Sequence, residues 1–313
     1  MTAFRHIPIM VGEVLELLAP ERGGVFVDGT LGGGGHAEAV LSRLPASGRL
    51  YGIDRDGAAI AAATERLERF QARFVPLRGN FFDMASLLRA QGVEAVDGVL
   101  LDLGVSSHQL DTPERGFSYH EDAPLDMRMD SSAPLRAYDV VNGYSKEALC
   151  RVIRAYGEER YAARVANAIV RAREAQGPIQ GTARLAQIIK EAIPAAARRE
   201  GPHPARRTFQ ALRIEVNGEL EGLEGAIEAA HNLLRPGGRM AILTFHSLED
   251  RIVKNAFRRF ENPCVCDPRA PLCTCGRKPT ARVLTKKPLA AGQEELLENP
   301  RARSAKLRGI EKL

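Results

Sequence analysis

Long apolar runs are absent from this 313-residue chain. No run approaches the roughly 18 residues that a membrane-spanning helix needs, which excludes a protein with helical membrane spans. Cysteine is scarce, with five residues in the whole chain, and this excludes a disulfide-stabilised scaffold. The N-terminal segment lacks the apolar core of a signal peptide, so we expect a cytoplasmic protein with no membrane partner.

An internal repeat is absent as well, and the composition excludes wholesale disorder. Hydrophobic residues make up 44% of the chain and charged residues 27%, which is ordinary for a soluble globular protein. At roughly 150 residues per domain, the length predicts two domains, or one domain with a large insert.

The net charge of +5 conceals a segregation of charge along the chain. Residues 251–313 carry a net charge of +9 and residues 150–215 a net charge of +7, whereas the remainder carries −11. An acidic body with two basic segments indicates a polyanionic partner that docks on those segments. For either segment alone, solvated helix faces are the alternative interpretation.

Short apolar runs alternate with helical patterns over the first hundred residues. We predict strands at 25–28, 50–54, 74–77 and 98–102, with helices between them. After a stretch without a convincing strand, the pattern resumes with a helix through 234, a turn at 235–238 and a strand at 239–245. This alternation is typical of an α/β protein with a doubly wound, mainly parallel sheet.

These boundaries predict three parts of the chain. Residues 1–104 and 216–260 form the α/β core, and residues 105–215 form a helical insert for substrate recognition. Residues 261–313 form a basic tail, rich in proline and cysteine, that we expect to be irregular.

A glycine-rich segment, Asp28-Gly-Thr-Leu-Gly-Gly-Gly-Gly-His36, follows the first predicted strand and opens a helix. Glycines allow a sharp turn and the close approach of a ligand, and this position in a doubly wound sheet is where nucleotide cofactors bind. Asp54, at the end of the second strand, is placed to accept hydrogen bonds from both ribose hydroxyls. A flexible turn and a helix N-cap are the alternatives for these two features.

NAD enzymes and S-adenosylmethionine enzymes both use such a loop and such an acid. Two features favour the methyl donor: Asp28 in the turn after the first strand, and the cluster Asn80-Phe81-Phe82-Asp83 as an adenine contact. Asp102 ends the fourth strand, where amino-group methyltransferases carry an Asp or Asn that accepts a hydrogen bond from the reacting amine. A helix or loop cap is the alternative role for Asp102.

The motifs closely resemble one family, the bacterial small-subunit ribosomal RNA cytosine-N4 methyltransferases (MraW or RsmH). The resemblance rests on eight blocks in the order that the family shows, and they run through nearly the whole chain. The blocks are His6-Ile-Pro8, Asp28–His36, Asp102-Leu-Gly-Val-Ser-Ser107, Arg115-Gly-Phe-Ser118, Pro124-Leu-Asp-Met-Arg-Met129, Arg207-Thr-Phe-Gln-Ala-Leu-Arg-Ile-Glu-Val-Asn217, Thr244-Phe-His-Ser-Leu-Glu-Asp250 and Asn299-Pro-Arg-Ala-Arg-Ser304.

The resemblance implies a Rossmann-like S-adenosylmethionine methyltransferase that methylates N4 of a cytidine in the decoding region of 16S rRNA. It further implies Asp102 as the residue nearest the reaction, and a set of donor-binding residues: Gly34, Gly35, His36, Asp54, Phe81, Asp102 and Gln109. We predict contacts to the RNA of the small ribosomal subunit from Arg206, Arg207, Phe209, His246 and Ser247. A second copy of the chain, in a homodimer, is a further candidate partner.

Four cysteines cluster in the tail as Cys264-Val-Cys266 and Cys273-Thr-Cys275. Clustered thiols in a cytoplasmic protein indicate a metal site or reduced, unligated thiols. We therefore predict Cys264, Cys266, Cys273 and Cys275 as ligands of a structural zinc ion, with unligated thiols as the alternative. The fifth cysteine, Cys150, lies in a helical pattern and is predicted as a small core residue.

Three other functions remain open from the residues alone. An NAD-linked oxidoreductase would bind NADH and not the methyl donor. A non-catalytic ribosome assembly factor would bind RNA without methyl transfer. A DNA amino-methyltransferase is disfavoured, because the chain reads Asp102-Leu-Gly-Val where such enzymes carry Asp/Asn-Pro-Pro-aromatic.

Overall fold

A computed structural model describes residues 8–199, 203–267, 269 and 272–313. His6 and Ile7, in the first sequence block, lie outside these residues. The structure divides the chain into two compact units. Unit 1 comprises residues 1–104 and 220–313, and unit 2 comprises residues 105–219.

Unit 1 is built on a seven-stranded sheet with the order β3-β2-β1-β4-β5-β7-β6. Strands β1 to β5 pair in parallel, whereas β7 is antiparallel to both β5 and β6. The strands are β1 Val25–Asp28, β2 Arg49–Asp54, β3 Phe74–Arg78, β4 Val96–Asp102, β5 Leu234–Thr244, β6 Ala281–Val283 and β7 Lys306–Lys312. The predicted Rossmann-like α/β fold is confirmed.

Thirteen α-helices are assigned in the described residues. Those of unit 1 are α1 Val11–Leu18, α2 Gly35–Arg43, α3 Gly57–Arg66, α4 Met84–Ala90, α11 Leu223–Leu233, α12 Ser247–Glu261 and α13 Gln293–Glu298. Those of unit 2 are α5 Ser107–Asp111, α6 Ala137–Gly143, α7 Lys146–Gly157, α8 Ala162–Gln176, α9 Thr182–Ala192 and α10 Arg206–Asn217. None of the helices in the described residues is both long and apolar enough to cross a membrane.

Helices cover both faces of the sheet, which explains why the strands are apolar without alternation. Phe26 and Leu100 point into a core shared with α1, α2 and α3. Their chain neighbours, Val27 and Leu101, point into a second core shared with α4, α11 and α12. Because successive side chains of a strand face opposite sides, a strand that is buried on both sides must be apolar throughout.

The prediction of an irregular tail is wrong for residues 306–312. Residues 306–312 form β7, which lies inside the sheet between β5 and β6. The sequence Lys306-Leu-Arg-Gly-Ile-Glu-Lys312 looks solvent-exposed because charged residues alternate with apolar ones. Its charged side chains are paired instead: Arg308 donates to Asp250 at 2.7 Å, and Glu311 accepts from Arg239 at 2.9 Å.

The predicted turn at 235–238 lies within the range of β5. Leu234 pairs with Val96 and Arg239 pairs with Gly98, so the four residues between them on β5 face the single residue Asp97 on β4. The register shift makes this segment an irregularity in the strand rather than a break between two elements. The turn residues, including Gly237 at φ +79°, are thus accommodated without ending the strand.

Unit 2 is helical, and the only pairing outside named strands in its described residues is an isolated bridge between Pro124 and Gly181. Its core is formed by side chains from all of its longer helices, including Leu149, Val165, Ile189 and Leu212. Cys150 is half-buried and packs against this core. Unit 2 therefore has a hydrophobic core of its own.

The buried position of β7 generates a test of the sheet. Ile310 is fully buried, so Ile310→Ala should lower the free energy of unfolding by about 2–5 kcal/mol because it leaves a cavity. Leu313→Ala is the matched control, since Leu313 is 59% exposed and its truncation should cost little. Urea unfolding measures both. Equal, small effects of the two substitutions would contradict the placement of β7 inside the sheet.

Candidate active site

The glycine-rich segment lies across the carboxyl ends of β1, β2 and β4. The backbone N–H of Gly29 donates to Leu100 O at 2.9 Å, and that of Leu31 donates to Ile53 O at 2.9 Å. The strand order reverses between β1 and β4, so this is the switch point at which doubly wound sheets bind ligands. Hydrogen bonds to neighbouring strands therefore hold the segment at the expected position of the site.

Two of the glycines lie close to neighbouring residues, and one of them, Gly34, also has a left-handed backbone conformation. Gly34 has φ +77°, and a Cβ there would lie 3.1 Å from the Cβ of Ala63. A Cβ on Gly35 would lie 3.1 Å from the Pro8 side chain. The loop thus brings the start of α2 close to α3, and larger residues at 34 would displace the backbone that faces the site.

Asp54 holds the same loop through its side chain. Its Oδ2 accepts from the backbone N–H of Gly32 at 2.8 Å, and its Oδ1 accepts from that of Asp56 at 2.8 Å. The N-cap of α3 is Asp56, which accepts from Ala58 N. Burial raises the pKa of Asp54. Each carboxylate oxygen has two lone pairs, so Asp54 keeps acceptor capacity for a ligand hydroxyl.

Two further carboxyl groups lie at the ends of β1 and β4. Asp28 Oδ1 accepts from the backbone N–H of Thr30 at 3.1 Å, and the Thr30 hydroxyl accepts from the N–H of Asp102 at 2.6 Å. Burial raises the pKa of Asp28 to about 6. Burial, together with the charge of Glu249, raises the pKa of Asp102 to about 7. Asp102 Oδ1 is buried without a hydrogen-bond partner among the described residues.

His36 is oriented by the backbone at the start of α1. Its Nε2 lies 2.8 Å from Ile9 O, and since a carbonyl only accepts, Nε2 carries the proton. Burial lowers the pKa of His36, so the ring is neutral and Nδ1 is an acceptor. Nδ1 lies 3.5 Å from Asp102 Oδ2. This arrangement favours a proton on Asp102 when no cation is nearby.

Glu249 is a site residue that the sequence analysis missed. It is buried at the start of α12, where its Oε2 accepts from the N–H of Phe245 at 2.9 Å. His246, predicted as a substrate contact, is the N-cap of α12, and its Nδ1 accepts from Glu249 N. Ser247 is the first residue of that helix. The spacing of His246 and Glu249 is that of a capping box, which is the signal that indicates Glu249.

Phe81 lies beside the end of β1. It begins a short 3₁₀ turn after β3, and Asn80 caps that turn by accepting from Phe82 N at 3.2 Å. The Phe81 Cβ would lie 3.1 Å from a Cβ on Gly29. The structure thus places Phe81 next to the glycine loop, and its role as an adenine contact stays a prediction.

Unit 2 contains the other predicted residues. Gln109 is buried in α5, where it forms a capping box with Ser106: each side chain accepts from the backbone N–H of the other residue. Arg206 and Arg207 are exposed at the start of α10. Phe209 is 4% exposed and packs edge-to-face against Tyr119, so the structure gives it a core position rather than a surface position for base stacking.

Three of the family blocks are joined by hydrogen bonds within unit 2. Asn217 Oδ1 accepts from Met129 N at 2.7 Å, and Asn217 Nδ2 donates to Met127 O at 2.8 Å. Arg115 donates to the carbonyls of Arg128 and Met129, at 2.9 Å each. The block at 124–129 is therefore an ordered loop fixed from both sides.

The four clustered cysteines lie close together in unit 1. Each Sγ offers one ligand atom, and all four lie within 4.8 Å of one another. Cys264, Cys273 and Cys275 are 3.5–3.8 Å apart in the pairs Cys264–Cys273, Cys273–Cys275 and Cys264–Cys275. The predicted clustering is confirmed, and the identity of any bound metal stays a prediction.

The electrostatics of the switch point favour a cation. Burial, His36, the backbone of Thr30 and two other carboxylates shift the pKa of Asp28. Burial and the charge of Glu249 shift the pKa of Asp102. A dianionic pyrophosphate is disfavoured beside such carboxyl groups, whereas a positively charged ligand is attracted to them.

The MraW methylase family matches residues 3–313 of the chain. The chain belongs to the MraW methylase family. Curated relatives with similar sequences are named ribosomal RNA small subunit methyltransferase H. That of Symbiobacterium thermophilum is 55% identical over 311 residues, which are 99% of this chain and 98% of the relative. That of Geobacter sulfurreducens is 56% identical over 310 residues, which are 99% of each chain.

Family membership confirms the resemblance drawn from the eight blocks. The relative from Pelobacter propionicus, 54% identical over 314 residues, covers all of this chain and is itself covered completely. The MraW match therefore includes both units and the cysteine cluster, and not the α/β core alone. In this MraW methylase the sequence blocks include the strand-end acids Asp28 and Asp102 and the hydrogen-bonded loop at 124–129 of unit 2, whereas the strand-end acid Asp54 lies outside them.

The raised pKa of Asp102 predicts a pH-dependent stability. The folded protein holds this proton more tightly than the unfolded chain, so burial of Asp102 costs nothing at about pH 3 and costs most above about pH 7. Asp102→Asn is neutral at every pH and should exceed the wild type in stability increasingly as the pH rises from about 4 to 7, by about 1–3 kcal/mol at the end.

Urea unfolding of the ligand-free protein at several pH values measures this difference. Asp83→Asn is the control, since Asp83 is exposed near the same site. A gap between wild type and Asp102→Asn that stays constant with pH would contradict the raised pKa.

Proposed function

We propose that this chain transfers a methyl group from S-adenosylmethionine to the exocyclic N4 amine of a cytidine in the decoding region of 16S rRNA, on the assembled small subunit. The observation that carries the proposal is the family match over residues 3–313, which extends to relatives named for small-subunit ribosomal RNA. Membership of a methylase family disfavours the two alternative functions, an NAD-linked oxidoreductase and a non-catalytic assembly factor.

The residues at the switch point fit S-adenosylmethionine. The cofactor supplies an electrophilic methyl group on a positively charged sulfur. The buried carboxyl group of Asp28 and the partly buried one of Asp102 favour that charge. Asp102 Oδ1 is a buried acceptor without a partner among the described residues, which is the kind of atom that a ligand satisfies. Asp54 keeps lone pairs for the ribose hydroxyls, and the glycines at 34 and 35 allow the backbone to approach the ligand.

Asp102 is the residue that we assign to the reacting amine. The lone pair of a cytosine amine is delocalised into the ring, so it is a weak nucleophile. A carboxylate that accepts a hydrogen bond from the amine orients the lone pair and favours the charge that develops on nitrogen. The same carboxylate is suited to take the proton that the amine loses, because its pKa of about 7 lies near physiological pH.

Positioning supplies most of the remaining acceleration in such a transfer, since the amine and the methyl group must lie in line at near-attack distance. A target base in folded RNA must be unstacked at a cost of a few kcal/mol unless the RNA already presents it. We assign phosphate contacts to Arg206 and Arg207, which are exposed, rather than to the buried Phe209. We also propose that His36, Phe81 and Gln109 contact S-adenosylmethionine, and that Ser247 contacts the RNA that accepts the methyl group.

The proposal includes one structural zinc ion on the four clustered cysteines as a second bound component. The four Sγ atoms support this zinc site because they all lie within 4.8 Å of one another. A homodimer stays a prediction of the sequence.

The first test is transfer of a labelled methyl group from S-adenosylmethionine to three acceptors: unmodified small subunits, free 16S rRNA and duplex DNA. We expect N4-methylated cytidine from the subunits, identified by mass after digestion to nucleosides. Label in duplex DNA alone would favour a DNA methyltransferase. Donor binding without label in any acceptor would contradict the proposed reaction.

A second test concerns the role of Asp102. Asp102→Ala removes the acceptor and should lower kcat by about 10²–10³-fold, as the loss of one preorganised polar group does in other sites. Asp102→Asn keeps an acceptor oxygen and should retain more activity than Asp102→Ala, with a weaker rise of kcat between pH 6 and 8. Glu65→Gln serves as control, since Glu65 is an exposed acid of α3 outside the site. Turnover by Asp102→Ala close to that of the wild type would exclude the assigned role.

A further inference from the structure

The described part of the segment between α12 and β6 has its larger apolar side chains exposed. Its described residues form no helix or strand. Its two large apolar side chains, Val265 and Leu272, are 64% and 77% exposed, so neither is part of a hydrophobic core. Loops longer than about 12–15 residues without structure of their own are uncommon in compact domains, and they are usually functional or disordered.

The two ends of this segment are nevertheless held together. The backbone N–H of Thr280 donates to Phe260 O at 2.8 Å, and that of Val283 donates to Glu261 Oε1 at 3.0 Å. Phe260 also stacks on His231 with ring centroids 4.1 Å apart. The segment is therefore a loop whose two ends are hydrogen-bonded to each other. Interactions that order its middle must come from residues or ligands within the loop.

The cysteine Sγ atoms have the spacing of a tetrahedral metal site. A tetrahedron with Zn–S bonds of 2.3 Å has sulfur–sulfur edges of about 3.8 Å. Four of the sulfur–sulfur distances here are 3.6 Å for Cys264–Cys273, 3.8 Å for Cys266–Cys273, 3.5 Å for Cys273–Cys275 and 3.8 Å for Cys264–Cys275. A disulfide would require about 2.05 Å, so the cysteines are not paired covalently.

A backbone N–H contacts one of the sulfur atoms, as backbone donors do in thiolate metal sites. The N–H of Thr274 donates to Cys266 Sγ at 3.4 Å. Such hydrogen bonds stabilise negative charge on sulfur and fix the orientation of the ligands, which is the role of outer-shell groups around a metal.

Basic side chains are exposed on the same segment. Arg269, Arg277 and Lys278 are exposed, and Asp267 is the one acidic residue between positions 262 and 280. A small loop with exposed cations and no apolar core is suited to contact a phosphate backbone, where cations release counterions on binding. The proposed RNA substrate supplies such a backbone.

We propose that one Zn²⁺ ion, bound by Cys264, Cys266, Cys273 and Cys275, orders this segment, which then holds Arg277 and Lys278 against phosphates of the ribosomal RNA. The metal site stands on the sulfur geometry alone, whereas the contact to RNA rests on the proposed function. Tetrathiolate sites hold zinc or iron, and zinc is the assignment because it needs no redox partner.

Metal content of the full-length protein tests the first half. We expect one zinc per chain by mass spectrometry of the elements, and none in the double variant Cys273→Ser/Cys275→Ser. Cys150→Ser is the matched control, since Cys150 lies in α7, and it should retain the zinc. Replacement of zinc by Co²⁺ should give the strong visible bands of a tetrahedral thiolate site. Iron, a disulfide or unligated thiols in place of zinc would overturn the site.

Binding to small ribosomal subunits tests the second half. Arg277→Ala/Lys278→Ala should keep one zinc per chain and an unchanged affinity for S-adenosylmethionine. The same variant should bind small subunits about tenfold more weakly. The slope of log affinity against log salt concentration should become shallower by up to about 2, which corresponds to about two lost phosphate contacts. Arg43→Ala/Arg49→Ala is the control of equal charge: Arg43 ends α2 and Arg49 begins β2, so both lie at the opposite edge of the sheet from the strand-end carboxyl groups.

The outcomes separate this proposal from the proposed methyl transfer. Zinc in the wild type with unchanged subunit binding in Arg277→Ala/Lys278→Ala would overturn the contact to RNA and leave the metal site. Weakened binding in the control as well would show a general effect of charge and would also overturn the contact. A failure of methyl transfer would not alter the metal content or the cobalt spectrum.

Discussion

The burial of several carboxyl groups at one edge of a parallel sheet is the constraint on which the rest of unit 1 depends. Asp28, Asp54 and Asp102 each end a strand, and burial raises the pKa of each. A fold that only needed stability would place apolar residues there, because unpaired buried acids are costly. The glycine loop, the Thr30 hydroxyl and the orientation of His36 all serve to hold these groups in place, and a cationic methyl donor is the ligand that this arrangement suits best.

Much of the fold was predictable because its signal is local. Strands β1 to β4 are continuous apolar runs that end in an acid or a turn, and each is followed by a helical pattern, so their order and parallel pairing follow from general rules. Strand β7 was not predictable in the same way. Lys306, Arg308 and Glu311 look solvent-exposed in the sequence, and only their ion pairs with residues far away in the chain allow the strand to lie inside the sheet.

The candidate site shows the same division. Asp54 and Asp102 were predictable, since the carboxyl ends of strands at the switch point are where such sites occur. Glu249 was missed because it reads as the acidic member of a helix cap, and its approach to Asp102 arises from the pairing of β4 with β5. Phe209 was predicted as an RNA contact, but it lies on the buried face of α10. Neighbouring basic residues indicate that one face of a helix is exposed to solvent. They do not show whether an aromatic residue of the same helix lies on that face or on the buried one.

The antiparallel pairing of β7 with β5 has a consequence for biosynthesis. Thr244 of β5 pairs with Lys306 of β7, so some sixty residues must be translated after β5 before its partner exists. Until then the nascent chain presents the edge of β5, with Ala241 and Leu243 among its apolar residues, as an unpaired template for other strands. Pairing across such a separation is slow, because the entropy of closing the loop must be overcome first. Partly synthesised chains are thus the species most prone to aggregate, and a chaperone that covers this edge would act within a defined interval of translation.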